Sequence, residues 1–266
     1  MKDKGADIEK LTSLMERLRA PEGCPWDREQ TLSTLVPFII EEAYEVVSAI
    51  DSGESGAIKD ELGDLLFQVV FASRIAQEAG DFSMKDVIEA SVEKMVRRHP
   101  HVFGDGKADT SEEVLAHWAE IKKEEKRKAG ISPGLLSGIP EVLPALLRAH
   151  KVSQKAARAG FDWQDVQEGF VKVDEELGEF KREVLAKNAA GMEEEFGDLL
   201  FSLVNVSRFL EVNPEDALRK TISKFINRFN HIEQEVTKNG SDLSTATMEE
   251  MDRLWSEAKA LEKKTS

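Results

Sequence analysis

Residues 60–67 read DELGDLLF, and residues 194–201 read EEFGDLLF. When both stretches are extended to the next arginine, nine of the fifteen aligned positions are identical, including an unbroken GDLLF. Each copy follows an acidic cluster, EEAYE at 41–45 and EELGE at 175–179, and the spacing from the cluster to the copy is the same in both halves. Two copies are too few for a solenoid, so this pattern indicates an internally duplicated domain.

The sequence around both stretches has the apolar spacing of helices. Ile8, Leu11, Met15 and Leu18 place one apolar face over residues 7–20. Further helical runs are predicted at about 34–51, 57–79, 83–98, 110–128, 141–158, 165–187, 189–211, 213–239 and 247–263. No segment alternates convincingly between apolar and polar residues. The chain is therefore predicted to be all-α, with five helices in each half packed as two tandem helical bundles.

The halves are separated by GISPGLLSGIP at 130–140, which has two prolines and three glycines. Such a segment breaks a helical pattern, so we predict a linker there. The predicted domains are 1–129 and 141–266. HPHVFGDGKAD at 99–109 is predicted to be a loop within the first domain.

The composition limits the partners of the chain. Acidic residues outnumber basic ones by 51 to 36, a formal net charge of −15, which argues against binding to duplex nucleic acid. The single cysteine, Cys24, excludes an internal disulfide and fits a reducing compartment. The charged N-terminus does not resemble a signal peptide, and no apolar run reaches membrane-spanning length. These features predict a cytoplasmic protein without a membrane partner.

The acidic clusters are predicted to converge. Residues three or four apart share one face of a helix, so Glu45 points with Glu41 or Glu42, and Glu61 points with Asp64. A turn of about ten residues allows the two helices to lie antiparallel, with their acids face to face. The second half repeats this arrangement with Glu175, Glu176, Glu179, Glu195 and Asp198.

Four or five converging carboxylates repel one another unless cations or protons relieve them. Oxygen ligands without nearby Cys or His suit Mg²⁺, with Mn²⁺ as a possible substitute. A solvated glutamate face is the alternative, but both copies run directly into an apolar LLF. Gly63 and Gly197 occupy equivalent positions inside their helices, where glycine is unfavourable. They suggest close approach of a ligand or of a neighbouring helix.

Two other kinds of site are excluded by the motifs. A di-iron bundle requires Glu-x-x-His pairs, and the five histidines at 99, 101, 117, 150 and 231 lie far from the acidic clusters in sequence. The chain also lacks a GxxxxGK[ST] phosphate-binding loop. Any nucleotide chemistry would therefore depend on the metal.

EExxE followed after about twenty residues by ExxD resembles the all-α nucleoside triphosphate pyrophosphohydrolases, specifically the two-domain bacterial form of the MazG family. GCPWDREQT at 23–31, RRHPHVF at 97–103 and GFDW at 160–163 extend this resemblance over nearly the whole chain. The resemblance implies Mg²⁺-dependent hydrolysis of NTPs and dNTPs between the α and β phosphates, which gives the monophosphate and pyrophosphate. It also implies a homodimer.

The resemblance assigns roles to residues of the second half. The acids Glu175, Glu176, Glu179, Glu195 and Asp198 are expected to be catalytic, the last four as metal ligands, while Glu175 orients or deprotonates a metal-activated water. Lys172, four residues before Glu176, is expected to contact phosphate. Further contacts to phosphate, base or ribose are expected from Lys224, Arg228, Trp255 and Lys259.

The halves differ at one position of this set, because the counterpart of Lys172 is Phe38. In proteins of this kind the second domain is commonly the main catalyst, so the first-half acids Glu41, Glu42, Glu45, Glu61 and Asp64 are expected to form an accessory site. Two alternatives stay open. One is a related pyrophosphohydrolase of narrower substrate, dUTPase-like or phosphoribosyl-ATP-cleaving. The other is a dimeric helical interaction protein whose acids bind divalent ions without catalysis.

Overall fold

The structure, a computed structural model, describes residues 6–128 and 134–265. Within these ranges the chain forms helices and turns and no strand, which confirms the all-α prediction. None of the described helices is long and apolar enough to cross a membrane. Part of the predicted linker, residues 130–133, lies outside the described ranges.

The chain divides into two compact units, Met1–Ala129 and Gly130–Ser266. The helices of the first unit are α1 Ala6–Arg19, α2 Pro25–Glu29, α3 Leu32–Ser52, α4 Ser55–Glu78, α5 Met84–Arg98, α6 Pro100–Phe103 and α7 Ser111–Lys128. Those of the second are α8 Ala145–Arg158, α9 Val166–Ala186, α10 Ala189–Phe209, α11 Pro214–Lys238 and α12 Met248–Thr265.

Each unit is built around one closely packed helix pair, α3 with α4 and α9 with α10. The connections are much shorter than the ten residues expected. Gly53 and Glu54 join the first pair, and Lys187 and Asn188 join the second. Both turns pass through the left-handed region, with φ 73° at Gly53 and 53° at Lys187. Glycine adopts this conformation without steric cost, whereas lysine does not.

Helix starts follow the capping residues. Ser83 and Asp86 form a reciprocal capping box at α5, and the Asn213 side chain accepts hydrogen bonds from the amides of Glu215 and Asp216 at α11. These contacts satisfy amide groups that the first helical turn leaves free.

Prolines account for the differences from the predicted elements. Pro25 and Pro100 begin the short helices α2 and α6, which the sequence analysis did not predict, because a proline at the first helical position gives up no hydrogen bond. Helix α6 therefore lies inside the segment that was predicted to be a loop. Helix α8 begins at Ala145 instead of 141, because Pro144, with φ −48° and ψ 139°, is not helical.

The core of the first unit contains Met15, Leu35, Val70 and Phe71, and Phe38 packs against them. In the second unit Ile232, Val236 and Leu254 form a core between α11 and α12, and Trp255 packs against its edge. The first core includes residues of α3 and α4, which carry the first-half acidic residues, and the second joins α11 and α12, which carry the predicted basic contact residues.

Candidate active site

Three glutamates meet where α9 packs on α10. Carboxylate oxygens of Glu176, Glu179 and Glu195 all lie within 4.8 Å of one another. Glu176 is only 5% exposed, and the other two are half-buried. Glu176 and Glu179 share a face because they are three residues apart on α9, while Glu195 reaches the group from α10.

The first unit repeats this geometry. Oxygens of Glu42, Glu45 and Glu61 lie within 4.8 Å of one another where α3 packs on α4. The structure thus selects Glu42 over Glu41, which is exposed and stays outside the group of three. We call these groups the first-half cluster (Glu42, Glu45, Glu61) and the second-half cluster (Glu176, Glu179, Glu195).

The two aspartates of the motif stand at the edge of the clusters. Asp64 and Asp198 are exposed and are not among the groups of three. Burial is the largest cause of the raised pKa of Glu42, Glu61 and Glu195, and the charge of Asp64 adds to it for the first two and that of Asp198 for the third. They therefore border the site.

Burial and repulsion raise the pKa of one or more carboxyls in each cluster. For Glu195 loss of hydration is the largest cause, followed by the charges of Glu179 and Glu176. For Glu42 it is again burial, opposed by a hydrogen bond from Gln68. Each cluster offers only carboxylate oxygens, which is the donor set that Mg²⁺ and Mn²⁺ prefer. The residues present therefore fit a hard divalent cation.

Lys172 adds one positive charge to the second-half cluster. Its Nζ lies 2.7 Å from Glu176 Oε1 and 3.0 Å from Glu175 Oε1. These two carboxylates, Glu176 first, raise the pKa of the lysine. At the equivalent position of the first half, Phe38 packs edge-to-face on Trp26, with ring centroids 5.6 Å apart. Among the described residues, an ion pair between a lysine and a cluster glutamate is therefore found in the second-half cluster and not in the first.

Gln68 was missed by the sequence analysis. Its Nε2 donates a long hydrogen bond, 3.4 Å, to Glu42 Oε1. The signal was available, because Gln68 lies seven residues after Glu61, two turns along the same face of α4. Its counterpart in the second half is the buried Ser202.

The other predicted contact residues lie together on α11 and α12. Arg228 forms an ion pair with Glu262 at 2.6 Å, and its guanidinium lies 5.3 Å from the centre of the Trp255 ring. Lys224 and Lys259 are exposed. Within the described ranges, no hydrogen bond or ion pair joins this group to the second-half cluster. Glu262, which the sequence analysis did not single out, is seven residues after Trp255 and so lies on the same face of α12.

The first unit has a related group. Arg97 and Arg98 of the RRHPHVF segment both contact Glu125, at 2.7 and 2.6 Å. Arg98 and then Arg97 lower the pKa of Glu125 to about 2. Trp118 lies under Lys122, with its ring centre 5.8 Å from the ammonium, and against the edge of His99. This segment therefore ties α5 to α7.

The glycines of the repeated motif do not serve helix packing. A Cβ built on Gly63 or Gly197 would meet no atom within 4 Å. The expectation that they admit a neighbouring helix was wrong, because the space beside them is open. Only the suggestion of an approaching ligand remains.

The comparison with known proteins concerns both units. The model of the MazG nucleotide pyrophosphohydrolase domain matches residues 30–103 and again 164–233. The chain belongs to the MazG family. The tandem duplication read from the repeated motif is thereby confirmed, and the chain is a hydrolase acting on phosphoric anhydrides, as the family resemblance implied.

Two of the MazG relatives match almost the full chain, and a third matches part of it. A nucleoside triphosphate pyrophosphohydrolase/pyrophosphatase MazG of Thermotoga maritima is 46% identical over 97% of this chain and 98% of its own. A nucleoside triphosphate pyrophosphohydrolase of Escherichia coli K12 is 44% identical over 96% and 98%. A protein of the same name from Mycolicibacterium smegmatis is 38% identical over 59% of this chain and 48% of its own.

Proposed function

We propose that this MazG chain hydrolyses nucleoside triphosphates between the α and β phosphates, and that its main site is the second-half cluster. Family membership and the names of its relatives support the activity. The observation that supports the choice of site is the contact of Lys172 with Glu176, which places a cation for phosphate beside carboxylates for metal. The first-half cluster is then an accessory site.

Glu176, Glu179 and Glu195, with Asp198 at their edge, would hold Mg²⁺ or Mn²⁺. When bound, such an ion neutralises phosphate charge and lowers the pKa of water. The described residues give Lys172 two acceptors, Glu175 and Glu176, and an ammonium has three donors. The third donor is available to a phosphate oxygen of the substrate.

Glu175 is suited to handle the attacking water. It is exposed, lies outside the group of three, and shares the Lys172 ammonium with Glu176. The contact with Lys172 uses one carboxylate oxygen, Oε1. The other oxygen can orient a water molecule or accept its proton.

Lys224, Arg228, Trp255 and Lys259 are proposed to bind the phosphates and the base or ribose. Arg228 already lies over the Trp255 ring, and Phe225 lies on the same ring at 5.2 Å between centroids. A nucleotide base can stack on such a partly open aromatic surface. The exposed ammonium groups of Lys224 and Lys259 add the positive charge that a triphosphate requires.

A homodimer is part of the proposal. Helix α11 has an exposed apolar stripe at helical spacing, formed by Leu218, Ile222, Phe225, Ile226 and Phe229. A contiguous apolar surface of this kind is uncommon on a monomer. If the α11 helices of two copies of the chain packed against each other, the apolar stripe would be removed from water.

The activity is tested by incubating the chain with each NTP and Mg²⁺ and measuring pyrophosphate and orthophosphate separately. Pyrophosphate with nucleoside monophosphate supports the proposal, and Glu176→Gln should remove both products. Orthophosphate as the first product would contradict cleavage between the α and β phosphates. Absence of any product with intact metal binding would favour an interaction protein.

A further inference from the structure

The two clusters differ in the donor that reaches their most buried glutamate. In the second half Lys172, on the same helix as Glu176, contacts it at 2.7 Å. In the first half the donor is the carboxamide of Gln68, which reaches Glu42 from the partner helix. The donor has changed both its charge and the helix from which it comes.

Two positions change together between the halves. Lys172 is replaced by Phe38, whose ring packs on Trp26 and on the apolar core. Gln68 replaces Ser202, which is buried and makes no described hydrogen bond to Glu176. A serine at this position is too short to take the place of the glutamine. The glutamate at the cluster thus keeps one donor in either half, but only one of the pairs supplies a positive charge.

The charges of the two sites differ accordingly. Lys172 balances one carboxylate of the second-half cluster, whereas the hydrogen bond from Gln68 leaves the first-half cluster with its full negative charge. A triphosphate is itself polyanionic, so the first-half cluster attracts metal ions but repels a nucleotide more strongly.

A second feature at Gln68 indicates a cationic ligand. Its side chain is only 9% exposed, and its Oε1 is buried without a hydrogen-bond partner among the described residues. Buried carbonyl oxygens are rarely left unpaired in folded proteins. This oxygen belongs to the same carboxamide that contacts Glu42, so an unused acceptor stands beside the acids.

We propose that Gln68 and Phe38 restrict the first-half cluster to a divalent cation without nucleotide, whereas Lys172 and Ser202 allow the second-half cluster to bind the cation and the triphosphate together. Gln68 is thus a specificity residue, which acts through Glu42. The proposal rests on the proposed function, because it explains why one of two similar clusters is the main site.

The first experiment, in the full-length chain, replaces the first-half pair Phe38 and Gln68 by the residue types of the second-half pair, Lys172 and Ser202. In a background with Glu176→Gln and Glu179→Gln, Mn²⁺ binding is followed by electron paramagnetic resonance. Nucleotide binding is followed by calorimetry with α,β-methylene-ATP, which resists cleavage, in the presence of Mg²⁺. The background chain should bind Mn²⁺ and no measurable nucleotide. Adding Phe38→Lys with Gln68→Ser should keep Mn²⁺ binding and make α,β-methylene-ATP binding measurable, because it supplies a charged donor.

The reciprocal experiment starts from the natural chain. Lys172→Phe with Ser202→Gln should weaken α,β-methylene-ATP binding by about tenfold or more and leave the number of bound Mn²⁺ ions unchanged. Lys172→Gln alone, at a half-exposed position that requires no repacking, should lower nucleotide affinity in the same direction. Lys181→Gln, at an exposed position of the same helix, is the matched control and should change neither measurement.

The outcomes separate this proposal from the proposed function. If the background chain binds no Mn²⁺, or if both exchanges leave nucleotide affinity within twofold, the specificity proposal is wrong, even when the natural chain releases pyrophosphate. If the natural chain binds nucleotide but releases no pyrophosphate, the proposed hydrolysis is wrong. The paired substitutions then still show whether these residues determine nucleotide affinity. A natural chain that binds no nucleotide overturns both.

Discussion

The Lys172 ammonium lies 2.7 Å from a carboxylate oxygen of Glu176, one turn further along the same helix. The corresponding pair in the first half is Phe38 and Glu42, which has no such charge contact. Although each cluster brings three glutamates within 4.8 Å of one another, the duplicated sites are therefore electrostatically different. The most direct predictions concern this difference.

Removing the equivalent glutamates Glu176 and Glu42 should have unequal effects on catalysis. Glu176→Ala removes a proposed metal ligand and leaves Lys172 without its closest partner, so we expect kcat/KM for NTP hydrolysis to fall by roughly a hundredfold or more. Glu42→Ala should reduce it by less than about tenfold, since the first-half cluster is not the main site. Pyrophosphate release under identical Mg²⁺ concentrations measures both, and an equal loss from the two variants would exclude the proposed asymmetry.

Neutralising Glu195 should stabilise the metal-free chain. The pKa of Glu195 is raised by burial and by the charges of Glu179 and Glu176, so its ionised form is unfavourable in the fold at neutral pH. Glu195→Gln should increase the Tm of the chain in EDTA by roughly 1–2 °C. It should also diminish the stabilisation by Mg²⁺, which for an intact site is about 2.7 kcal/mol when the free ion is a hundred times its Kd. Glu193→Gln, at an exposed position of the same helix, is the control, and a Tm decrease with Glu195→Gln would contradict the argument.

The same pKa shift fixes a pH dependence. The folded-state pKa of Glu195 lies above its ordinary value of 4.5. The favourable contribution of Glu195 to the free energy of unfolding is therefore complete below pH 4.5 and is lost as the pH rises through the folded-state pKa. The Tm difference between Glu195→Gln and the natural chain should thus be largest at pH 7 and should vanish at or below pH 4.5. Mn²⁺ affinity should decline on acidification before pH 4.5 is reached. Scanning calorimetry and Mn²⁺ titration between pH 4 and 7 test both statements.

The roles of Arg228 and Glu262 can be distinguished by the effects of their substitution on KM for ATP. If Arg228 contacts phosphate, Arg228→Ala should increase KM for ATP about tenfold, because a charge-assisted hydrogen bond is lost. Glu262→Gln breaks the ion pair but keeps the guanidinium, so it should leave KM within about twofold while lowering Tm slightly. Steady-state kinetics and thermal melts give both quantities. If the ion pair between Arg228 and Glu262 only stabilised the fold, the two variants would lose the same amount of Tm and KM would not change.

The apolar stripe of α11 predicts a change of assembly. Ile222→Asp with Ile226→Asp would place two charges in the proposed contact between copies of the chain, so we expect the dimer to dissociate. Light scattering behind a sizing column should report a mass close to the 29.7 kDa of one chain. Asn227→Asp, which adds a charge at an exposed position beside these residues, should leave the dimer intact. A natural chain that already elutes as a monomer would refute this part of the proposal.

Much of the fold was accessible from the sequence, because its strongest determinants are local. Apolar spacing and capping pairs such as Ser83 with Asp86 placed the long helices to within a few residues. The short helices at Pro25 and Pro100 were missed because they are too brief to show a period. The late start of α8 depends on the conformation of Pro144, which spacing alone does not reveal.

The site was predictable only as far as helical geometry reaches. Periodicity identified the acidic faces but could not choose between Glu41 and Glu42, since both are compatible with Glu45 on one side of the helix. The contact of Gln68 with Glu42 spans 26 residues of chain and depends on how α3 packs against α4. The pairing of Arg228 with Glu262, 34 residues apart, similarly depends on the packing of α11 and α12. Seven-residue spacing places Gln68 and Glu262 on the relevant helix faces, but which side chain they contact is set by tertiary packing.

The turn between α9 and α10 has a consequence for engineering. Its left-handed residue is Lys187, whereas the matching turn of the first half uses Gly53. A lysine held in this conformation lowers thermal stability at a place eight residues, or roughly 12 Å of helix, beyond Glu179. The first half thus provides a ready template for making the second half more heat-resistant, at a site far enough from the acids to leave catalysis alone.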